Sequence, residues 1–346
     1  MFTALLFFGV ALGCGPHIKP RFLAPGPSLQ LSARYISNVA RQNVRPPGTD
    51  PLLTLRTVQP YPGIFAYYDG RTGERFHSAA PNWLDDGAFT LGVATYSIVS
   101  GSDALLFDAA ITPEIAAFML NHVKSLGATK ITTVYSHFHN DHIAGAVSLA
   151  GNKTTVLGQT QTKATIKRNT VALARDDPPI QAVLPTVLYD KNMTMQVGNR
   201  TVELHNFNVH TPDGTILFLP QDKILFAGDT LEDTATFIAD ADSLPTHQLE
   251  LERMAQLPIA KILPAHGSPD RIAAGGYDPT FIDATLRYIR AVDEPVQRPA
   301  AWDMTLEQVV AADVSNGSLI YFAQYEEVHR SNVESVQQSR AARTAQ

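Results

Sequence analysis

The stretch VYSHFHNDHIAG at residues 134–145 places four potential metal ligands within six positions, namely His137, His139, Asp141 and His142. Imidazole and carboxylate groups together suit zinc or a similar divalent cation. Residues at i and i+2 of an extended or tightly turned segment point the same way, so His137 and His139 can bind one ion. Asp141 and His142 then face a second ion. Burying so many polar groups without a metal would leave them unsatisfied.

Three further candidate ligands, His210, Asp229 and His266, lie downstream in similar surroundings. Each follows an apolar run typical of a strand and is bounded by Gly, Pro or Thr, which predicts a position where a strand ends in a loop. Seven ligands suffice for two ions. We expect Asp229 to bridge them. The other ligands are assigned to the first ion as His137, His139 and His210, and to the second ion as Asp141, His142 and His266.

This set of residues resembles the metallo-β-lactamase superfamily, in which a His-x-His-x-Asp-His element is followed by three separated ligands in the order His, Asp or Cys, His. The resemblance covers roughly residues 60 to 290 and all seven ligand positions. It implies an α+β fold, the four-layer αβ/βα sandwich of two β-sheets with helices outside. It also implies a metal-dependent hydrolase with two divalent ions, zinc being favoured by the ligand types. Asp108, at the end of an apolar strand, resembles the family's carboxylate that orients a ligand histidine, the alternative being an ordinary strand-end cap.

Two departures from the zinc β-lactamases bear on the substrate. Asp229 stands where the best-known subclass has a metal-binding Cys, as in glyoxalase II and lactonase relatives, and a carboxylate favours two filled sites. Three residues later those β-lactamases carry a Lys that pairs with the carboxylate of the antibiotic, whereas this chain has Glu232. A negative charge there would repel a penicillin, so Glu232 is a candidate for substrate selectivity and the small-molecule substrate is predicted to be neutral.

The mechanism follows from the pair of ions. Water shared by two cations loses much of its proton affinity, so a hydroxide exists near neutral pH and can attack a carbonyl carbon. Asp141 would be both a ligand and the catalytic proton acceptor. We therefore expect a hydrolase that opens a small cyclic amide or ester, a lactam or a lactone. The alternatives are a thioesterase, arylsulfatase or phosphodiesterase of the same fold, and a metal-binding or scaffold protein without activity.

Length and composition agree with a compact enzyme of one elaborated domain or of two small ones. The 346 residues are 45% hydrophobic and 17% charged, which is enough for a sizeable core. The net charge of −6 gives no field that would attract a polyanion, so a nucleic-acid partner is not expected. The oligomeric state is left open.

The chain divides into five predicted segments. Residues 1–15 form an apolar run that is too short to span a bilayer and fits a signal peptide, the alternative being a buried N-terminal segment. Residues 16–59 are expected to wrap the domain, and 60–295 to form the hydrolase domain. A helical extension of unknown purpose is predicted for 296–330, and a disordered polar tail for 331–346.

Several features favour secretion or export over a cytoplasmic location, without a transmembrane anchor. Besides the leader, the sequence has four acceptor sites for N-glycosylation, at Asn152, Asn192, Asn199 and Asn316. These sites would make the product of a eukaryotic secretory route a glycoprotein. In a bacterium they would mean nothing, and cleavage before Cys14 would instead indicate a lipoprotein anchor.

Local patterns predict individual elements around the ligand loops. Residues 58–68 read as the first strand and 187–197 as another, while 85–87 read as a turn. Thr112 as N-cap, Pro in the first turn and Gly after the last predict a helix at 113–126. The polar stretch 159–177 has helical spacing and lies where relatives of this fold place segments that cover the substrate.

Overall fold

The computed structural model describes residues 52, 54–71, 77–78, 80–151 and 154–344. The predicted signal peptide, most of the 16–59 segment and Asn152 lie outside these residues. Within the described ranges, every helix is too short or too polar to cross a lipid bilayer.

The first β-sheet contains seven strands in the order of the chain. Strands β1 to β4 pair antiparallel, whereas β4 to β7 pair parallel. Its strands are β1 Arg56–Tyr61, β2 Ile64–Asp69, β3 Val93–Ser100, β4 Asp103–Phe107, β5 Lys130–Val134, β6 Thr155–Gln159 and β7 Val187–Tyr189.

The second β-sheet contains five strands in the order β12-β11-β10-β9-β8. All neighbours pair antiparallel except β11 and β12, which are parallel. Its strands are β8 Asn192–Val197, β9 Arg200–Asn206, β10 Thr215–Leu219, β11 Ile224–Gly228 and β12 Lys261–Pro264. Every residue of β10 and β11 is buried, which explains why these strands read as continuous apolar runs rather than as alternating patterns.

Eight α-helices occur in the described part of the chain. They are α1 Pro113–Ser125, α2 Asn140–Ile143, α3 Thr160–Leu173, α4 Leu244–Met254, α5 Pro269–Ala273, α6 Thr280–Val292, α7 Leu306–Ser315 and α8 Tyr325–Thr344. Helix α1 begins where the sequence predicts, because the Thr112 side chain accepts a hydrogen bond from the Ile115 amide at 3.2 Å and Pro113 follows. Short 3-10 helices lie at Ala144–Ser148, Ala241–Ser243 and Ala300–Asp303.

Three apolar clusters define the layers. One lies between the two sheets and joins inward residues of both, such as Phe107 and Phe226. A second lies between the first sheet and α1, and contains Met119 and Val123. The third covers the outer face of the second sheet with α4, α6 and the C-terminal helices. Helix, sheet, sheet and helix layers follow one another, so the predicted α+β fold with four αβ/βα layers is confirmed.

Three local predictions were wrong in detail. The single strand expected at 58–68 is the hairpin of β1 and β2, because Gly63 adopts a φ of 72° and turns the chain. The strand expected at 187–197 divides into β7 and β8, which belong to different sheets. The expected turn at 85–87 lies inside one turn of π-helix, Leu84–Phe89.

The polar tail predicted to be disordered from residue 331 onward is instead helical as far as Thr344, within α8. Its two valines, Val333 and Val336, are buried in the third apolar cluster. The Arg340 guanidinium also donates to Asp293 Oδ1 at 2.8 Å. These long-range contacts offset the entropy cost of ordering a polar segment, and they also place the extension on the core of the hydrolase domain.

Candidate metal centre

The predicted ligands lie in loops that follow strands of both sheets. The His-x-His-x-Asp-His loop follows β5, and Asp108 follows the neighbouring parallel strand β4. In the second sheet, Asp229 follows β11 and His266 lies just beyond the parallel strand β12. Carboxyl ends of parallel strands meet at one edge of a sheet, and the stacking of the two sheets brings both edges together.

The structure assembles the predicted first ligand group. One ligand atom from each of His137, His139, His210 and Asp229 lies within 4.8 Å of all the others. Within this group, His139 Nδ1 lies 3.0 Å from His210 Nε2.

The predicted second ligand group is also assembled, with the same 4.8 Å limit for Asp141, His142, Asp229 and His266. His266 Nε2 lies 3.2 Å from Asp141 Oδ2. The Asp141 side chain is 16% exposed, whereas the side chains of His142 and His266 are at most 5% exposed. Asp141 is therefore the most accessible member of this group.

Asp229 stands between the two groups. A single oxygen, Oδ2, lies 3.1 Å from His142 Nε2, 3.4 Å from both His137 Nε2 and His266 Nε2, and 3.7 Å from His210 Nε2. The nitrogens of His137 and His210 belong to the first group, and those of His142 and His266 belong to the second. Asp229 therefore lies between the two ligand groups, where a bridging ligand would be needed.

The outer nitrogens of two imidazoles are held by acceptors. His142 Nδ1 lies 2.8 Å from Asp108 Oδ2, so Asp108 is placed to orient this imidazole. His266 Nδ1 lies 2.6 Å from the Gly92 carbonyl oxygen. A proton on each outer nitrogen leaves the Nε2 lone pair directed into the site, which is the tautomer a metal requires. Gly92 has a φ of 76°, and a Cβ atom there would lie 2.1 Å from the Tyr68 hydroxyl, so only glycine fits.

Electrostatics of the site favour a bound cation. Burial lowers the pKa of His139 to about 3, so this imidazole is neutral. Burial raises the pKa of Asp141, but the charge of His142 and the bond with His266 lower it to about 2. Although burial lowers the pKa of His142, the carboxylates of Asp141 and Asp229 raise it well above its ordinary value. The carboxylates therefore favour a protonated, positively charged imidazole at His142. A bound divalent cation would replace that proton and its charge.

The residues fit a pair of divalent ions. His137 Nε2 and Asp229 Oδ1 are buried side-chain atoms without a hydrogen-bond partner, which is costly unless another group satisfies them. His137 Nδ1, in contrast, is 3.0 Å from the Ser136 hydroxyl. Nitrogen and carboxylate donors in this mixture suit zinc and similar ions.

Glu232, the candidate for substrate selectivity, lies beside the candidate ligand His210. It is 2% exposed and lies on the outer side of His210, with Oε1 3.4 Å from His210 Nδ1. Oε1 also accepts a hydrogen bond from the Phe237 amide at 2.9 Å, and the Tyr325 hydroxyl donates to Oε2 at 3.4 Å. Burial lowers the pKa of His210, but Glu232 and Asp229 outweigh this effect and leave it raised. Glu232 is therefore a buried neighbour of His210, and its role in substrate selectivity stays a prediction.

Two aromatic rings that the sequence reasoning did not single out flank the ligands. The ring centroid of Phe138 is 4.6 Å from that of His139, and Phe237 is 6.1 Å from His210. Both phenylalanines are partly exposed. The position of Phe138 between two ligand histidines was a signal in the sequence, whereas the place of Phe237 depends on the fold.

The polar stretch 159–177 contains α3 and reaches the metal loop. Asn140, inside the His-x-His-x-Asp-His element, donates from Nδ2 to Asp176 Oδ2 at 2.9 Å. The Trp83 indole donates to the Pro178 carbonyl at 3.0 Å, so the turn after α3 is held on both sides. This turn forms one border of the metal loop.

Comparisons with known proteins agree with this geometry. The model of the metallo-beta-lactamase superfamily matches residues 89–266. Beta-lactamase-like protein 2 homolog from Drosophila melanogaster is 27% identical over 192 residues, which are 52% of this chain and 61% of that protein. The match thus spans less than two thirds of that relative's length.

Solved structures show the same fold. A metallo-beta-lactamase from Pontibacter korlensis is 20% identical with a TM-score of 0.53, covering 68% of this chain and 99% of that chain. DIM-1 metallo-beta-lactamase exposed to ceftazidime is 17% identical with a TM-score of 0.53, covering 68% and 97%. At these identities the likeness concerns the fold alone.

Proposed function

The chain belongs to the metallo-beta-lactamase superfamily, and we propose that it is a binuclear metal-dependent hydrolase that opens a small, uncharged lactam or lactone. Membership of the superfamily supports hydrolysis in general. The observation that carries the binuclear assignment is the position of Asp229, whose Oδ2 lies within 3.7 Å of imidazole nitrogens from both ligand groups. We propose zinc as the ion, because it accepts this mixture of nitrogen and carboxylate ligands.

Bound divalent ions would supply an acidified water molecule and polarise the carbonyl of the substrate. Asp141 is the residue for proton transfer, because it is deprotonated at neutral pH and more accessible than its neighbours. Asp108 holds the ring of His142, and the Gly92 carbonyl holds that of His266. Phe138 and Phe237 provide apolar walls on two sides.

The proposal of an uncharged substrate rests on position 232. The best-known subclass of zinc β-lactamases has a Lys there for the substrate carboxylate, whereas in this chain Glu232 offers no cation and is enclosed behind His210. A carboxylated drug would therefore lose a charge-assisted bond. The two partly exposed phenylalanine rings favour an apolar acyl group.

A panel of chromogenic substrates tests this function. We expect the highest kcat/KM on a neutral lactone or lactam, with activity abolished by chelation and restored by zinc. A thioester is the second candidate, since Asp229 is shared with glyoxalase II relatives, and arylsulfate and phosphodiester substrates complete the panel. A chain that binds two ions but turns over none of these compounds would instead be a metal-binding protein.

Secretion is proposed from the sequence of the leader and from the exposure of three of the acceptor sites, Asn192, Asn199 and Asn316. A mature protein that begins after about residue 13 to 20 and loses mass on deglycosylation is expected from a eukaryotic host. Mass spectrometry that finds Met1 in natively produced protein would contradict secretion.

A further inference from the structure

Glu232 is a buried carboxylate that contacts the candidate ligand His210, the Phe237 amide and Tyr325 of the C-terminal helix. A charge in a protein interior is costly unless it is paired and hydrogen-bonded. Oε1 accepts a hydrogen bond from the Phe237 amide at 2.9 Å, and Oε2 accepts one from the Tyr325 hydroxyl at 3.4 Å. Oε1 also lies 3.4 Å from His210 Nδ1, which is an ion-pair distance without hydrogen-bond geometry, and His210 Nδ1 has no hydrogen-bond partner among the described residues. The carboxylate therefore connects a predicted metal ligand to a residue near the start of the C-terminal helix.

The segment that carries Glu232 is hydrogen-bonded to the chain just before α8. The Ile320 amide donates to Asp233 Oδ1 at 2.9 Å. Thr234 Oγ1 accepts from the Phe322 amide at 2.8 Å and donates to the Ile320 carbonyl at 2.9 Å. Residues 320–322 thus fix the two residues that follow Glu232.

Helix α8 fixes the far end of the same segment. Asn332, which is fully buried, accepts from the Ile238 amide and donates to the Thr236 carbonyl, both at 2.8 Å. The backbone between these contacts contains Phe237, whose amide binds Glu232. The C-terminal extension therefore surrounds the Glu232 segment from both ends.

We propose that Glu232 is a positioning residue for His210 and that the C-terminal extension is a working part of the metal centre, because it fixes Glu232 through Tyr325 and Asn332. The inference rests on the proposed function in that His210 must bind the first ion. It assigns a role to the extension and replaces the substrate-selectivity role that the sequence suggested for Glu232.

The contact has a defined chemical effect. A carboxylate on the outer nitrogen of a ligand histidine fixes the tautomer and ring orientation and raises ligand basicity, and removing such a partner typically weakens metal binding 10- to 100-fold. His210 belongs only to the group with His137 and His139, so the first ion should be affected and the second retained. If Glu232 only stabilised the fold, its substitution would lower the affinity for both ions alike.

The variants Glu232→Gln and Glu232→Ala distinguish the effect of the negative charge of Glu232 from the effect of its contacts. Glutamine can keep Oε1 on Phe237 and His210 but lacks the negative charge, whereas alanine removes both. Zinc affinities are measured by competition with a chromophoric chelator, and cobalt spectra report the ligand field of each ion. We expect the first-site affinity to fall about 10- to 100-fold in the alanine variant and less in the glutamine variant, with the second site unchanged.

Tyr325→Phe tests the link to the extension, with Tyr321→Phe as its matched control. The Tyr321 hydroxyl donates to Glu326 Oε1 at 2.9 Å and belongs to the same segment. Tyr325→Phe should weaken the first site a few fold, and Tyr321→Phe should not change it. The melting temperature of metal-free Glu232→Gln should match that of the wild type.

Equal affinities of both ions in wild type, Glu232→Gln and Glu232→Ala would overturn the inference and leave the proposed function intact. A fall shared by both sites and by Tyr321→Phe would indicate general destabilisation and would overturn it as well. A wild-type chain that fails to bind two ions would contradict the proposed function itself, and the inference with it.

Discussion

Asp108 Oδ2 lies 2.8 Å from Nδ1 of His142, directly beyond the end of β4. The other oxygen of Asp108 accepts the Ser136 amide at 2.6 Å, just before the first ligand histidine. One buried carboxylate therefore fixes both a ligand ring and the backbone from which the metal loop departs.

Asp108→Asn should lower the affinity for the second ion about 10- to 100-fold. The amide can keep its oxygen on Ser136, but its NH2 group then faces the proton on His142 Nδ1, so the tautomer required for the metal is disfavoured. Asp103→Asn, at the partly exposed start of the same strand, is the control and should leave zinc affinity unchanged. Unaltered competition curves for Asp108→Asn would show that Asp108 is only a strand-end cap.

Glu232→Lys distinguishes the buried position of Glu232 from a substrate-facing one. A lysine in this enclosed place would put a second positive group beside His210 Nδ1, so we expect loss of the first ion and of activity on every substrate. The measurement is kcat/KM for one neutral lactone and one carboxylated β-lactam, together with metal content. A gain of roughly tenfold or more on the anionic drug, with two ions retained, would show that the side chain reaches the substrate.

Val336→Ala tests the packing of α8. Val336 is fully buried, so the lost methyl groups and the cavity should cost about 2 kcal/mol in the free energy of unfolding. Glu334→Ala, on the exposed side of the same helix, should change it by less than about 0.5 kcal/mol. Urea denaturation measures both, and equal values would mean that the tail does not pack on the core in solution.

His247 should make the fold sensitive to acid. Burial lowers the pKa of this histidine to about 4, from an ordinary value of 6.5. As the pH falls from 6.5 toward 4, the unfolded chain binds a proton that the folded chain does not, so the free energy of unfolding decreases. Above pH 6.5 the contribution is fully present.

His247→Leu should remove this term. Between pH 7 and pH 4.5, the free energy of unfolding of the metal-free variant should decrease by roughly 2 kcal/mol less than that of the wild type. His205→Leu, at a partly exposed position on β9, is the control, and its free energy of unfolding should decrease by as much as that of the wild type. Parallel pH profiles for wild type and His247→Leu would contradict the assignment.

The clustering of the candidate metal ligands could be predicted because its signal is local. Four of them fall within six residues. Asp229 and His266 follow the apolar strands β11 and β12, whose composition predicts that they are buried. Asp108 could be predicted for the same reason. Strand order and ligand spacing together therefore define the edge of the sheets at which the site forms.

The position of Glu232 and the helical structure of the tail could not be predicted in this way. The distance in sequence from Asp229 to Glu232 does not say which way the side chain points, and its partner Tyr325 lies 93 residues away. The tail has few apolar residues, and the helix depends on burying Val333 and Val336 against distant elements. Both features are set by tertiary contacts that local patterns do not contain.

The central claim is that seven side chains hold two divalent ions, and elemental analysis of protein reconstituted with zinc and dialysed tests it most directly. We predict close to two zinc ions per chain in the wild type. His139→Ala and Asp229→Ala should each hold fewer ions and melt at a lower temperature, because metal binding is coupled to folding. One ion or none in the wild type, after reconstitution with zinc, manganese and iron in turn, would contradict the account.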